Sequence, residues 1–294
     1  MLQNKKKFNM HYLFILPAFI FFTGLVIAPT LGSVYYSFTS WDGISPIVTF
    51  IGFGNYVEIF TSARFGNALK NTLILTVTIS FIENFMALCL ALLVDHVCVA
   101  KNFFRAVFYI PVILSGVVSG FIWKIMYNYS FGPINNVLKM VGLDSWCQDW
   151  AGDAKYAIFA VAVVLIWKGC GYYMIIYLAS LQGVPQDVIE AATIDGATAW
   201  DRFKHITLPL ISGSFTICFT LSLIGGLKVF DQIAVITDGG PGFATETVVY
   251  LLYKVGYGEG RQGFGTAVGI VLLFVILILN VLQGKFLRSR EVQL

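Results

Sequence analysis

Charge is the scarcest ingredient of this sequence. Only 12% of its 294 residues are Asp, Glu, Lys or Arg, against about 25% in an ordinary soluble domain. With 57% hydrophobic residues and a mean hydropathy of +0.79, that deficit excludes a soluble globular fold. Histidine is also sparse: His11, His96 and His205 are scattered and form no HExxH pair, so a membrane metalloprotease has no ligand set. Five cysteines, odd in number and without a CxxC pair, build no disulfide framework. Cys89, Cys170 and Cys218 fall in apolar runs as space-fillers, and Cys147 stands alone in a connecting segment. No phosphate-cradling Walker stretch exists, because Gly284-Lys285 lacks both the upstream glycine and the following hydroxyl residue. Gly258-x-Gly260-x-x-Gly263 imitates a dinucleotide fingerprint, but no acidic residue follows about twenty positions on to hold a ribose. The net charge of +3 carries no basic stripe for nucleic acid.

What the sequence has instead is long uncharged runs. Crossing about 30 Å of hydrocarbon takes roughly 20 apolar residues. Six runs qualify: one around Tyr12 to Tyr36, Leu73 to Val94 (with Glu83 inside), one between Arg105 and Lys124, Tyr156 to Leu181 (with Lys168 inside), one between His205 and Lys228, and one between Arg261 and Lys285. Backbone polar groups find no water in lipid, so each run is expected to be a helix. The weak alternation of a membrane β-barrel is absent. The first run follows Lys5-Lys6-Lys7 but is too long for a signal-peptide core and lacks a small-x-small cleavage pattern before Trp41, so it reads as a retained helix.

Lys and Arg in short loops mark the cytoplasmic side. With six spans, one side holds Lys5, Lys6, Lys7, Lys101, Arg105, Arg202, Lys204, Lys285, Arg288 and Arg290. The other holds Arg64, Lys70, Lys139, Lys155, Lys254 and Arg261 in longer loops. Both termini are therefore expected in the cytoplasm. The outer connections run from Phe38 to Ala68, Tyr127 to Lys155 and Asp231 to Gly263, with tryptophans and tyrosines suited to the interface. Gly116-x-x-x-Gly120 and Gly265-x-x-x-Gly269 suit close helix approach. Gly225-Gly226 is expected to loosen the fifth span, and Pro111 to mark the start of the third.

The connection from Val184 to Pro209 is unlike the others. Pro185 suits a first helical turn and Asp187 its positive end. Val188, Ala191 and Ala192 share a face, Gly196 suits a left-handed stop, and Thr198 with Asp201 has capping-box spacing. The pattern predicts two short helices at an angle. Periodicity alone fits a helix seated in another protein's cleft and a plain amphipathic linker nearly equally.

Here the residues match a family pattern. Glu190-Ala191-Ala192, then Asp195-Gly196-Ala197, Phe203 and Ile206-Thr-Leu-Pro209 resemble the EAA signature of ABC importer permeases, in its carbohydrate-importer form. Leu178-Ala-Ser-Leu-Gln182, Phe230-Asp231, Thr237-Asp-Gly-Gly-Pro-Gly242 and Thr245-Glu246-Thr247 agree, and the resemblance covers roughly Tyr12 to Phe286. It implies an all-α polytopic integral membrane protein with six transmembrane helices and a cytoplasmic coupling-helix loop between helices 4 and 5. Residues 1–66 would hold the tail, first helix and outer loop, 67–286 the five-helix core, and 287–294 a cytoplasmic tail. The implied setting is a prokaryotic inner or plasma membrane. The implied partners are a second homologous permease, two cytoplasmic ATPase subunits that use ATP and Mg, and an extracytoplasmic solute-binding protein. The chain itself would bind no cofactor and catalyse nothing. Glu190, Ala191, Ala192, Asp195, Gly196 and Ala197 would seat in a groove of the ATPase and receive its motion.

Other positions invite a role in the solute pathway. Glu83 is the deepest charge in a span, and charges there are costly and usually functional; with Asn84 beside it, a buried polar cluster is the competing reading. Lys124, Lys168 and Lys228 lie nearer the predicted span ends, where they can snorkel. Phe230 with Asp231 pairs an aromatic with an acid, as a sugar site requires, and Tyr172 and Tyr173 could add to it; interfacial anchoring is the plainer account. A non-sugar solute such as glycerol phosphate, or an ion-coupled carrier with Glu83 in its relay, are the alternative functions.

Overall fold

A computed structural model describes residues 11–96 and 100–289. Lys5, Lys6, Lys7, Arg290 and most of the proposed tail 287–294 lie outside the described residues. The regular structure among the described residues is helical, apart from one isolated bridge between Thr39 and Phe50. In chain order the helices are α1 (His11–Phe22), α2 (Ala28–Tyr36), α3 (Gly54–Thr61), α4 (Ala63–His96), α5 (Lys101–Ile113), α6 (Gly116–Met126) and α7 (Pro133–Met140). Then follow α8 (Ala157–Gln182), α9 (Gln186–Ile194), α10 (Ala199–Arg202), α11 (Leu208–Leu210), α12 (Ser212–Leu227), α13 (Val248–Tyr253) and α14 (Gln262–Arg288).

Among the described residues, four helical stretches are long and apolar enough to cross a bilayer: Phe14–Tyr36, Ala63–His96, Ala157–Gln182 and Gln262–Arg288. Two further candidates are bent pairs, α5 with α6 at 96° and Ala199–Leu210 with α12 at 64°. The third predicted span is thus not one straight rod. Leu114 and Ser115 are extended, and the Ser115 hydroxyl accepts from the Val118 N–H to start α6 afresh. Pro111 lies inside α5 rather than at a helix start. At 34 residues α4 runs about 50 Å at 1.5 Å per residue, longer than the hydrocarbon is thick. It begins at Ala63, ten residues before the predicted run.

The chain divides into two compact units, 1–61 with 252–271 and 62–251 with 272–294. In the first, Gly263 and Gly265 do the close packing. A Cβ on Gly263 would collide with the Thr39 carbonyl, and Gly265 lies against the backbone of Gly256. Arg261 forks onto Glu58 at 2.6 and 2.7 Å. That hydrogen bond holds the Glu58 carboxyl below its ordinary value.

The second unit is built on α8, which packs against α4 and α5, while α12 packs against α4. One apolar cluster gathers Leu75, Ile79, Val161, Val164 and Ile233; a second gathers Ala87, Ala91, Met174, Tyr177 and Cys218. Glycines set the spacing. Gly171 lies on the Phe108 carbonyl of α5, and Gly226 on Thr76 and Ile79 of α4. Gly225-Gly226 therefore does not loosen α12, which runs unbroken to Leu227; its missing side chain lets two helices meet.

Candidate functional site

Two places gather the chemistry. The first is the connection after α8. Pro185 is extended and lies just before the first turn of α9 without a capping bond, and α9 ends where Gly196 turns at φ +83°. Only glycine adopts that conformation without strain. The backbone then re-enters α10 through a complete capping box: Thr198 Oγ1 accepts from the Asp201 N–H, and Asp201 Oδ2 accepts from the Thr198 N–H. The Thr198 hydroxyl, which also donates to Asp201, together with that backbone bond, holds the Asp201 carboxyl below its ordinary value. Arg202 Nη1 closes the corner on the Ala197 carbonyl at 2.7 Å.

This joint has an inner and an outer face. Ile189 packs against the second apolar cluster, while Ala192 and Ala197 are half-buried. Val188, Glu190, Ala191, Asp195 and Gly196 are exposed, and so are two large apolar side chains, Ile194 at 86% and Trp200 at 67%. A Cβ on Gly196 would meet nothing within 4 Å, so its outward side is open.

The second place is a cleft of about 400 Å³ inside the second unit. Its wall brings together all five residues that the sequence nominated: Glu83 from α4, Tyr172 and Tyr173 from α8, and Phe230 and Asp231 beyond α12. Tyr173 is buried and Tyr172 half-exposed, the rings meeting edge to face at 5.3 Å. Phe230 packs its ring along Tyr250 at 6.1 Å. Asp231 rests on Gly116, where a Cβ would overlap its carboxylate. Glu83 is 5% exposed and lies over Gly169, which is a glycine for the same reason.

The expected buried polar cluster forms around Asn84, which accepts from Tyr177 and donates to Ser222 of the cleft wall, and among the described residues no hydrogen bond joins it to the Glu83 carboxylate. Two expectations change here. Lys168 does not snorkel. It sits midway along α8, and its ammonium donates to the Val112 carbonyl at 3.4 Å, left free by the break after α5. Gly116 and Gly120 serve side chains, Asp231 and Val235, rather than a second helix backbone. Sequence reasoning missed Gly169 and Gly116 as space-makers, since a glycine in an apolar run has no local mark of what approaches it.

Comparison with known proteins follows the same lines. The family profile described as the binding-protein-dependent transport system inner membrane component matches residues 84–291. The probable starch degradation products transport system permease of Thermoanaerobacterium thermosulfurigenes is 32% identical, over 97% of this chain and 96% of that one. A probable ABC transporter permease of Bacillus subtilis is 35% identical, over 98% of each chain. Among solved structures, a bacterial alginate ABC transporter in complex with an alginate pentasaccharide-bound periplasmic protein has a chain of similar fold. That likeness has a TM-score of 0.82 at 26% identity and covers 95% of this chain and 94% of that one.

Proposed function

The chain belongs to the binding-protein-dependent transport system inner membrane components, and from that premise we propose that it is the membrane-spanning subunit of an ATP-driven importer of oligosaccharides. The starch-product and alginate relatives support the sugar reading. An ion-coupled carrier has no place in this family. In this reading each bent pair counts as one span, giving six, with both termini in the cytoplasm.

The observation that carries the reading is the outer rim of α9. A short helix ended by Gly196 offers Glu190, small alanines and a bare Ile194 to solvent, while Ile189 anchors it to the core. In the proposal this rim seats in a groove of a cytoplasmic ATPase, where Glu190 pairs with a basic residue. Closure of two ATPases pulls α9, and through the capped corner at Thr198 also α10 to α12. The cleft then changes the side to which it opens. ATP and Mg belong to the ATPase. A second permease completes the pathway, and a solute-binding protein loads it, as the periplasmic protein of the alginate transporter suggests. Phe230, Asp231, Tyr172, Tyr173 and Glu83 serve the solute pathway, with carboxylates accepting hydroxyl protons and rings covering apolar sugar faces.

The test is Glu190→Lys in the reconstituted importer. The variant inserts normally, its ATPase partner hydrolyses without response to solute, and uptake falls at least about tenfold, the size expected when a charge pair becomes a clash. Normal solute-stimulated uptake would reject the assignment.

A further inference from the structure

Five side-chain amides are buried among the described residues: Asn55, Asn71, Asn84, Asn135 and Gln232. Four of them are spent on holding the fold. Asn55 donates to the carbonyls of Ser37 and Thr39, and Asn71 to those of Phe243 and Glu246. Asn84 accepts from Tyr177 Oη at 2.8 Å and donates to Ser222 Oγ at 2.9 Å. Asn135 donates to the Gln148 carbonyl at 2.9 Å and accepts from Trp150 Nε1 at 2.8 Å. Gln232 is only 6% exposed, yet among the described residues its amide bonds to nothing. An amide carries two donor hydrogens and an acceptor oxygen, and buried polar groups are nearly always satisfied. Gln232 lines the cleft, whose volume of about 400 Å³ lies within the usual range for small-ligand sites. The partner of its amide therefore comes from what enters the cleft.

The chain around Gln232 is held firmly. Phe230 lies along Tyr250, Asp231 rests on Gly116, Val235 on Gly120, and the Thr237 hydroxyl is bonded to that of Thr245 at 2.7 Å. A binding group fixed in advance loses little freedom when its ligand arrives. We propose that Gln232 is a specificity-determining residue of the cleft: its amide bonds two neighbouring hydroxyls of a saccharide, Nε2 donating to one oxygen and Oε1 accepting the proton of the other. The inference rests on the reading of the cleft as the solute pathway. An apolar solute would leave the whole amide unpaired, and a bare anion would leave its oxygen without a donor. A hydroxyl pair satisfies both halves, while the Phe230 ring in the same wall suits the apolar face of a sugar. Recognition of this kind does not depend on the sign of the wall, where Glu83 and Asp231 stand with Lys168 and Lys228. A neutral amide meets a neutral hydroxyl under any balance of charge.

A binding protein selects solutes too, so the test leaves it out. The permease–ATPase complex in detergent is dialysed against maltotriose, arabinotriose and diacetylchitobiose, and the probe bound most tightly is then compared with its monodeoxy analogues. Wild type binds at least one analogue at least about tenfold more weakly than the parent, as expected when a group that reads a hydroxyl is left unpaired. Gln232→Met, close in length but without an amide, binds the parent at least about tenfold more weakly and brings that analogue within about threefold of it. The variant unfolds at the wild-type temperature or above, because an unpartnered amide holds nothing together. Asn84→Ala is the structural control: its unfolding temperature falls and its preference for the parent stays. An unchanged preference in Gln232→Met, wild-type indifference to every analogue, or a loss of stability in Gln232→Met as large as in Asn84→Ala would each overturn the role of Gln232 and leave the pathway reading standing. Uptake of a probe that the complex does not bind would overturn that role too. Binding of no probe, with no uptake of any, would bring down the pathway reading and the role of Gln232 with it.

Discussion

Arg64 and Glu246, 182 positions apart, close a bidentate ion pair, with Nη2 to Oε1 at 2.7 Å and Nε to Oε2 at 2.9 Å. The Glu246 side chain is 1% exposed and that of Arg64 29%. The guanidinium also covers the Phe243 ring at 4.8 Å, while Asn71 reaches the carbonyls of Phe243 and Glu246. Together these bonds pin the glycine-rich segment 238–247 to the start of α4. Removing one partner of a buried pair costs about 3–5 kcal/mol, and the partial exposure of Arg64 puts Glu246→Ala near the low end. Thermal unfolding in detergent, run as a double-mutant cycle with Arg64→Ala, checks this. A coupling energy near zero would show that the pair does not hold the segment.

Gly196 separates backbone strain from docking. Gly196→Ala meets no neighbouring atom but must hold φ +83°, a cost of roughly 1–2 kcal/mol for an L residue. Uptake is expected to fall only a few-fold. Gly196→Asp adds charge and bulk to the docking rim, and uptake is lost at unchanged membrane levels while ATP hydrolysis continues. Equal uptake by the two variants would place Gly196 outside the docking surface.

The capped corner is sensitive to acid. The carboxyl of Asp201 is held below its ordinary value by Thr198. Its contribution is therefore complete above the ordinary carboxylate pKa and is lost as pH falls through the lowered one. Amide hydrogen exchange at Asp201 and Arg202 is expected to be slow at neutral pH. Relative to the intrinsic rate at each pH, it becomes faster only in strongly acidic solution. Thr198→Ala removes the protection already at neutral pH, and Asp201→Asn makes it insensitive to acid. Protection that ignores all three changes would count against the box.

Asn84 and Phe230 test structure against pathway. Asn84→Ala removes the acceptor of the Tyr177 hydroxyl in the core, at about 1–3 kcal/mol for a group left unsatisfied, while Ser222 keeps its bond to the Phe219 carbonyl. Its expected signature is a lower unfolding temperature with solute preference unchanged. Phe230→Ala with Asp231→Ala is expected to do the reverse, weakening uptake more than stability. Intact uptake and unaltered solute preference in that double variant would remove both residues from the pathway.

Local chemistry was the legible part. The turn at Gly196 and the box between Thr198 and Asp201 lie within a few residues of what they control, and both form as their spacing predicts. Glu83, Tyr172, Tyr173, Phe230 and Asp231 stood out because polar and paired aromatic groups are rare in such runs, and they converge on one cleft. The break at Leu114-Ser115 left no such trace, since an uncharged run reads alike whether straight or bent by 96°. Arg64 and Glu246 were likewise mute, because neither carries a local sign of a partner so far along the chain. Gly169 and Gly226 were visible only as glycines; what each admits is decided by another helix.

The bare side chains of Ile194 and Trp200 also bear on how this protein must be made. If the proposed docking rim is right, the subunit synthesised alone would hold a sticky hydrophobic edge in the aqueous phase until the ATPase covers it. Such an edge invites aggregation and proteolytic clearance. Yield and half-life should therefore depend on stoichiometry: production with the ATPase rescues the subunit, and an excess of free subunit shortens its life.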